Sequence, residues 1–288
     1  MKNCPQPSVA PNGNERTAAR HWLTTPALQL SAAVHSVSAL LVILNPGNWQ
    51  WALGAVLFNH AILTAGVLRP KSVLLGPNMT HLPAAATRRG EVSLTFDDGP
   101  DPEITPLVLD LLDRYGAKAS FFCIASKVSA YPELAREIIK RGHSLENHTY
   151  CHPYAFALFG PGGIVREIES SQATICAVTG VAPGFFRAPM GFRPPFLAPA
   201  VDRAGLRCAT WTRRGFDTFA INPEAVLQRL LRGLAAGDIL LLHDGRPNRP
   251  NRNTKIIREV LPRLLEHLQT LGLKSVSLTT ACSRSDEL

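Results

Sequence analysis

Hydrophobic residues follow two regimes that meet near residue 90. Upstream, residues 27–44 (ALQLSAAVHSVSALLVIL) and 49–68 (WQWALGAVLFNHAILTAGVL) carry no formal charge, and the turn signal NPGN lies between them. Each stretch is about the length needed to cross a bilayer, and the tryptophans that open the second suit an interface. The pattern predicts a helical hairpin over 25–70, in a membrane or, alternatively, packed on a soluble domain. Residues 1–24 are polar and contain Pro, Gly and Asn, so they are expected to be a disordered tail. A cleaved signal peptide fits less well. The polar tail is long for one, and no small-residue cleavage site follows the apolar run.

From residue 90 to about 282 short apolar runs alternate with amphipathic helical patterns, and residues 71–89 read as the linker into this domain. Candidate strands are VSLTF (92–96), ASFFC (119–123), HSLE (143–146), GFFR (184–187), RCATW (207–211), DILLL (238–242) and SVSL (275–278). Between them, YPELAREIIKRG has Pro near its start and Gly at its end, as a helix would. PEAVLQRLLRGLAAG and NTKIIREVLPRLLEHLQTLG repeat the design. Strand-then-helix units imply a parallel sheet with right-handed crossovers. There is no dinucleotide glycine fingerprint, so the expectation is an α/β fold in which seven strands form a closed or nearly closed (β/α) barrel behind an N-terminal hydrophobic hairpin.

Composition narrows the options. The chain has 288 residues, 45% of them hydrophobic and 18% charged, enough for a sizeable core. Its net charge of +8 fits nucleic acid, an anionic membrane surface or a phosphorylated substrate. The arginines are scattered and no nucleic-acid motif is present, so a nucleic-acid partner is not expected. The six cysteines form no CxxC pair. Several sit in apolar runs, which favours buried free thiols and a reducing compartment.

In β/α barrels the chemistry gathers at the C-terminal ends of strands. Here VSLTF is followed by Asp97, Asp98, Gly99 and Pro100, and HSLE by NHTYCH. GFF is followed by Arg187, RCATW by TRRGFD ending in Asp217, and DILLL by His243 and Asp244. His148 and His152, at i and i+4, are expected to share one face of a helical turn. Two imidazoles and one carboxylate would leave an open position on a divalent metal, as hydrolytic zinc sites do. Taken alone, an HxxxH pair is more often packed or at the surface, and a DDG is usually a turn.

The ordered set TFDDGPDP, NHTYCHP, FRAPMG, DTF after a Trp, and ILLLHD resembles the motifs of the NodB-homology polysaccharide deacetylases, carbohydrate esterase family 4, over about residues 88–280. The resemblance implies a distorted β/α barrel that removes acetyl groups from sugars with a bound divalent metal. It further implies Asp97 as general base on the attacking water, and Asp98, His148 and His152 as the metal ligands. Arg187 would hold Asp97 ionised and oriented. His243 would protonate the leaving amine, tuned by Asp217, and the backbone N–H of Met190 would receive the oxyanion. Cys151 is expected to stay out of the metal's first shell. Zinc suits the donor set, with cobalt, nickel and manganese as alternatives. The chain departs from the family pattern at Met190, where a Tyr is usual. It departs again at Arg214 and Thr218, where an acidic residue and a Trp are usual. Trp211, Arg213 and Arg214 therefore become candidate substrate contacts, and arginine forks suit phosphate.

Three readings of the function follow. In the first, the chain deacetylates an amino sugar on a polyprenyl phosphate, resembling the membrane-associated deacetylases that prepare hexosamine for lipid A modification. Lys2, Arg16 and Arg20 before the hairpin and Arg69, Lys71, Arg88 and Arg89 after it then place the domain on the cytoplasmic side of the inner membrane. In the second, it acts outside on peptidoglycan or an exopolysaccharide. In the third, it is an inactive carbohydrate-binding module.

Overall fold

The computed structural model describes residues 25–219, 222–245 and 250–283, so the expectation for the polar tail 1–24 lies outside the described residues. Two long helices come first, α1 (Pro26–Leu44) and α2 (Trp49–Leu68), joined by a short 3₁₀ turn over Pro46–Asn48. Both are long and apolar enough to cross a membrane by length and composition. Their polarity is inverted relative to a soluble helix pair. Ser31, Ser38, Ala52 and Gly66 are buried, whereas Leu30, Ile43, Leu44, Trp51 and Phe58 are exposed. Asn59 Nδ2 donates to Ser31 Oγ at 2.8 Å across the pair, and the His35 and His60 rings meet edge to face at 5.1 Å. Large apolar side chains thus make up much of the exposed surface of the pair. The apolar outer faces are not packed on the domain.

After helix α3 (Ala84–Arg88) the strands are β1 (Glu91–Asp97), β2 (Ala119–Cys123), β3 (Ser144–Asn147), β4 (Phe185–Phe186), β5 (Arg207–Cys208), β6 (Arg213–Arg214), β7 (Ile239–His243) and β8 (Lys274–Ser275). The interleaved helices are α4 (Thr105–Arg114), α5 (Ala125–Ala130), α6 (Pro132–Lys140), α7 (Pro161–Thr179), α8 (Leu197–Arg203), α9 (Pro223–Leu231), α10 (Pro250–Thr270) and α11 (Leu278–Ser283). The sheet runs β5-β4-β3-β2-β1-β7-β6 with every pairing parallel, and β8 joins the start of β1. The two edge strands are neighbours in the chain, which curls the sheet into the expected distorted barrel. Every residue of the central β1 and β7 is buried, because helices cover a parallel sheet on the side away from the barrel interior.

Two expectations shift. The run 207–211 pairs as a strand only over Arg207–Cys208, and a further strand forms at Arg213–Arg214. The intervening backbone is taken by the chain upstream: Met79 N–H donates to the Cys208 carbonyl and Thr210 N–H to that of Met79, both at 2.9 Å. The same contacts make the expected linker 71–89 an integral part of the domain. Leu75, Leu82, Ala85 and Ala86 are buried in it. The buried Arg193 donates to the carbonyls of Ser72 at 2.5 Å, Pro77 at 2.7 Å and Gly76 at 3.2 Å. Its own N–H donates to the Val67 carbonyl at the end of α2 at 3.1 Å. Lys71 Nζ donates to the Thr212 carbonyl at 2.6 Å, and Pro70 lies against Gly191. The hairpin base is thereby tied to the loops after β4 and β5, at the C-terminal end of the barrel.

Arg193→Met is expected to lower unfolding stability by about 1–3 kcal/mol, because it removes the hydrogen bonds of a buried guanidinium to three partly buried backbone carbonyls. Denaturant titration of the full chain in detergent tests this, with faster proteolysis within residues 69–79 as the companion signal. A change below about 0.5 kcal/mol, within the range of an ordinary surface substitution, would remove Arg193 as the tie.

Candidate active site

Parallel pairing sets the core of the site. Asp97 on β1 is in register with Phe122 on β2 and His243 on β7, and partnered residues of parallel strands point to the same face. One step later the backbone turns sharply at Asp98, whose φ is 70°. This turn is packed against the one after β7. A Cβ on Gly99 would fall 2.4 Å from Asp244 Oδ2, and one on Gly245 would fall 2.0 Å from the Asp98 carbonyl oxygen, so both positions require glycine. Lys127 Nζ donates to that same carbonyl at 2.6 Å.

His148 and His152 do not share a helical turn. Residues 148–152 form a non-helical loop with left-handed φ values of 67° at Thr149 and 52° at His152. Side chains hold its shape. Asn147 Oδ1 accepts the Thr149 N–H at 3.0 Å, and Thr149 Oγ1 accepts the His152 N–H at 2.9 Å. The buried Glu167 of α7 accepts the N–H groups of both Tyr150 and Cys151 at 3.0 Å. The loop brings the rings to a 4.9 Å centroid separation. Cys151 is disulfide-bonded, unlike the free Cys123, Cys176, Cys208 and Cys282, so the expected pattern of unpaired thiols fails at this position.

The ligand atoms of Asp98, His148 and His152 lie within 4.8 Å of one another. Both Nε2 atoms sit 3.4 Å from Asp98 Oδ1, an oxygen that is buried and has no hydrogen-bond partner. His148 Nδ1 lies 2.8 Å from the Arg187 carbonyl, which can only accept, so Nδ1 carries the proton and Nε2 presents its lone pair. Burial pulls the His152 pKa down to about 4 and keeps that ring neutral at ordinary pH. Burial acts to raise the Asp98 pKa, but the nearby histidines His148, His152 and His243 outweigh it and hold the carboxyl well below its usual range. A carboxylate oxygen without a donor, flanked by two imidazole nitrogens, fits a divalent cation.

Beside this trio, Asp97 Oδ1 pairs with Arg187 Nη1 at 2.6 Å. The Arg187 side chain is fully buried, and its other donors reach Thr95 Oγ1 and the carbonyls of Ala209 and Thr210. Asp217 grips His243 twice, accepting from its backbone N–H at 2.8 Å and facing Nδ1 at 2.9 Å. Burial works against a charged His243, but Asp217 more than compensates and raises its pKa to about 9, with Asp98 and Asp97 adding to the effect. A cavity of ≈ 570 Å³ joins Asp97, Asp98, His148, His152, Met190, Trp211, Arg214 and His243. Met190 has a left-handed φ of 56°.

Arg213 is not among the residues lining this cavity. It pairs with Asp238 at 2.5 Å and donates to the carbonyls of Arg232 and Gly233. Strand alternation is the reason: Arg214 faces the cavity, so its neighbour must face the helical layer. The cavity also draws on Lys127, Tyr154 and Phe219, which no strand end had pointed to because they lie on loops and helices beyond the motifs.

Comparison with known proteins agrees with this arrangement. The profile of the family described as "Polysaccharide deacetylase" matches residues 84–209. A peptidoglycan-N-acetylglucosamine deacetylase of Bacillus cereus is 33% identical over 181 residues, 60% of this chain and 81% of its own length. A chitooligosaccharide deacetylase of Sinorhizobium fredii is 33% identical over 174 residues, 60% of this chain and 80% of that one. Among solved structures, a family 4 carbohydrate esterase from Streptomyces lividans in complex with acetate superposes with a TM-score of 0.58 at 30% identity, covering 65% of this chain and 91% of that one.

Elemental analysis after dialysis against zinc or cobalt is expected to find one ion per chain. Asp98→Ala and His148→Ala should weaken binding by more than about 100-fold, beyond the usual effect of losing an outer-shell partner. Asp97→Asn should keep the ion. Full metal content in His148→Ala would remove this site.

Proposed function

We propose that this chain, which belongs to the polysaccharide deacetylase family, hydrolyses the N-acetyl group of an amino sugar carried at a membrane surface by a phosphate-linked lipid. It is a hydrolase of carbon–nitrogen bonds, like the relatives named for N-acetylglucosamine deacetylation. What is specific here is the carrier. The observation that supports it is the attachment of the hairpin base to the cavity rim. Pro70 touches Gly191, which lines the cavity, and Arg193, two residues on, holds the end of α2. If α1 and α2 span a bilayer, the mouth opens within a few side chains of its surface. Apolar residues on nearby loops are left bare: Leu158 is 87% exposed and Phe219 76%, with Tyr154, Phe196 and Phe216 also exposed.

The residues divide the work as amide hydrolysis requires. A divalent ion held by Asp98, His148 and His152 would supply Lewis acidity toward a carbonyl oxygen and toward water. Asp97, oriented by Arg187, accepts a proton from the water that attacks the acetyl carbon. The developing oxyanion faces the Met190 N–H. His243 delivers a proton to the sugar nitrogen as the carbon–nitrogen bond breaks, releasing acetate and a free amine. Zinc is our choice of ion for this donor set.

Sidedness has support in both directions. Arg69, Lys71, Arg88 and Arg89 after α2 favour a cytoplasmic domain. The names of the relatives favour a second reading, an extracytoplasmic peptidoglycan deacetylase. A topology reporter fused after residue 75, paired with assays on polyprenyl-phosphate N-acetylhexosamine and on peptidoglycan fragments, separates the two. A cytoplasmic reporter with turnover of the lipid-linked sugar supports the first reading. An external reporter with turnover of peptidoglycan alone overturns it.

Asp97→Asn should lower kcat by about 10²–10⁴-fold, the usual contribution of a positioned acid or base. Unchanged turnover would exclude Asp97 as the base. His243 stays protonated until the pH approaches about 9, so activity that needs its proton is lost as pH rises through that value. Asp217→Asn removes the main upward influence. The alkaline limb of kcat/KM should then move to lower pH by about one unit or more. An unmoved limb would assign it to another group.

A further inference from the structure

We propose that Arg214 forms an anion subsite inside the catalytic cavity that takes a phosphate group of the substrate. The inference rests on the reading above that the sugar hangs from a phosphate-linked carrier, and it names the residue that would recognise the link.

The register puts Arg214 on the cavity side. Arg214 on β6 pairs with Leu241 on β7, two residues before His243, and both Arg214 and Leu241 line the cavity. The Arg214 guanidinium is packed against two aromatic rings, 5.2 Å from the Trp211 centroid and 4.9 Å from that of Phe216. Such contacts restrict the orientation of the guanidinium plane. Its Nε is buried and has no hydrogen-bond partner. Among the described residues Arg214 makes no ion pair either. The other cations near the cavity are engaged: Arg187 holds Asp97, and Lys127 donates to the Asp98 carbonyl. Arg213 is held outside by Asp238.

A guanidinium has five donors and no acceptor, and a buried donor without a partner is costly. The Arg214 side chain lines a cavity large enough for a sugar, on a chain with a net charge of +8. The carboxylates of that cavity offer Arg214 no counter-ion. Asp97 is paired with Arg187, and Asp98 lies between two imidazoles. An incoming phosphate would supply what the site lacks, accepting from two N–H groups along the guanidinium edge. Hydroxyls of a neutral oligosaccharide could accept single hydrogen bonds but would bring no counter-charge.

The test uses the full-length protein in detergent micelles, as wild type, Arg214→Gln and Arg214→Lys. Kinetics are compared on decyl-phosphate N-acetylglucosamine and on neutral chitotetraose. Arg214→Gln is expected to raise KM for the phosphate-linked sugar at least about tenfold more than for chitotetraose, with kcat affected alike for both; one charge-assisted contact is of this size. Arg214→Lys should recover part of the loss, since it keeps the charge without the fork. Direct binding by calorimetry then separates the sources of phosphate. Decyl phosphate should bind wild type and lose affinity in Arg214→Gln. Inorganic phosphate binding just as tightly would make the subsite one for free phosphate and overturn the lipid-linked assignment. Equal KM losses on both sugars, or decyl phosphate binding indifferent to residue 214, would also overturn the proposal. If wild type deacetylates the phosphate-linked sugar while residue 214 has no effect, only this subsite fails and the proposed function stands. If wild type turns over chitotetraose alone and binds no decyl phosphate, both fail.

Discussion

A single buried guanidinium, that of Arg187, holds the two halves of the site in register. Its Nη1 pairs with Asp97, and its backbone carbonyl receives Nδ1 of His148. The remaining donors reach Thr95 Oγ1 and the carbonyls of Ala209 and Thr210, and the ring of Phe122 lies 3.9 Å beneath the guanidinium. Strands β1, β2 and β4 and the segment after β5 therefore meet on one residue. A buried charge is tolerable only when paired and fully hydrogen-bonded. That condition is met only in the assembled barrel, so the geometry of the site and the closure of the fold are one requirement.

The carboxylates illustrate how neighbours can have different roles. Asp97 and Asp98 are adjacent in the chain, yet the left-handed turn at Asp98 sends their side chains to different partners. Asp97 meets a guanidinium, and Asp98 meets two imidazoles. One is thereby fitted for proton transfer and the other for holding a cation. The third acidic partner, Asp217, acts from the far side of β7 by fixing His243 at both its backbone and its ring. Like the other two, it works because the parallel register aligns Asp97 with His243.

The hairpin gives this chemistry a location. Its buried positions, Ser31, Ser38, Ala52 and Gly66, are small or polar, while most of its large apolar residues are exposed. Its base is fastened through Pro70, Lys71 and Arg193 to the loops that wall the cavity. Hairpin base and cavity mouth thus share one end of the barrel. The same end carries the exposed Phe219 and the Arg214 guanidinium, which stacks on Trp211 and Phe216.

Much of this was legible in the chain itself. Apolar runs bounded by turn residues located the strands, because a buried parallel strand must be apolar throughout. The motifs at their ends named the groups at Asp97, Asp98, His148, His152, Arg187, Asp217 and His243. Two uncharged stretches of spanning length announced α1 and α2. The inward and outward assignment of Arg213 and Arg214 was not legible, since it depends on a two-residue strand whose partner is β7. Nor was the loop at 148–152, where spacing pointed to a helix and side-chain hydrogen bonds impose left-handed turns instead. The incorporation of residues 71–89 likewise depends on Arg193, more than a hundred residues away. Periodicity and composition report what each segment must bury. Which distant donor satisfies which acceptor is decided only when the segments meet.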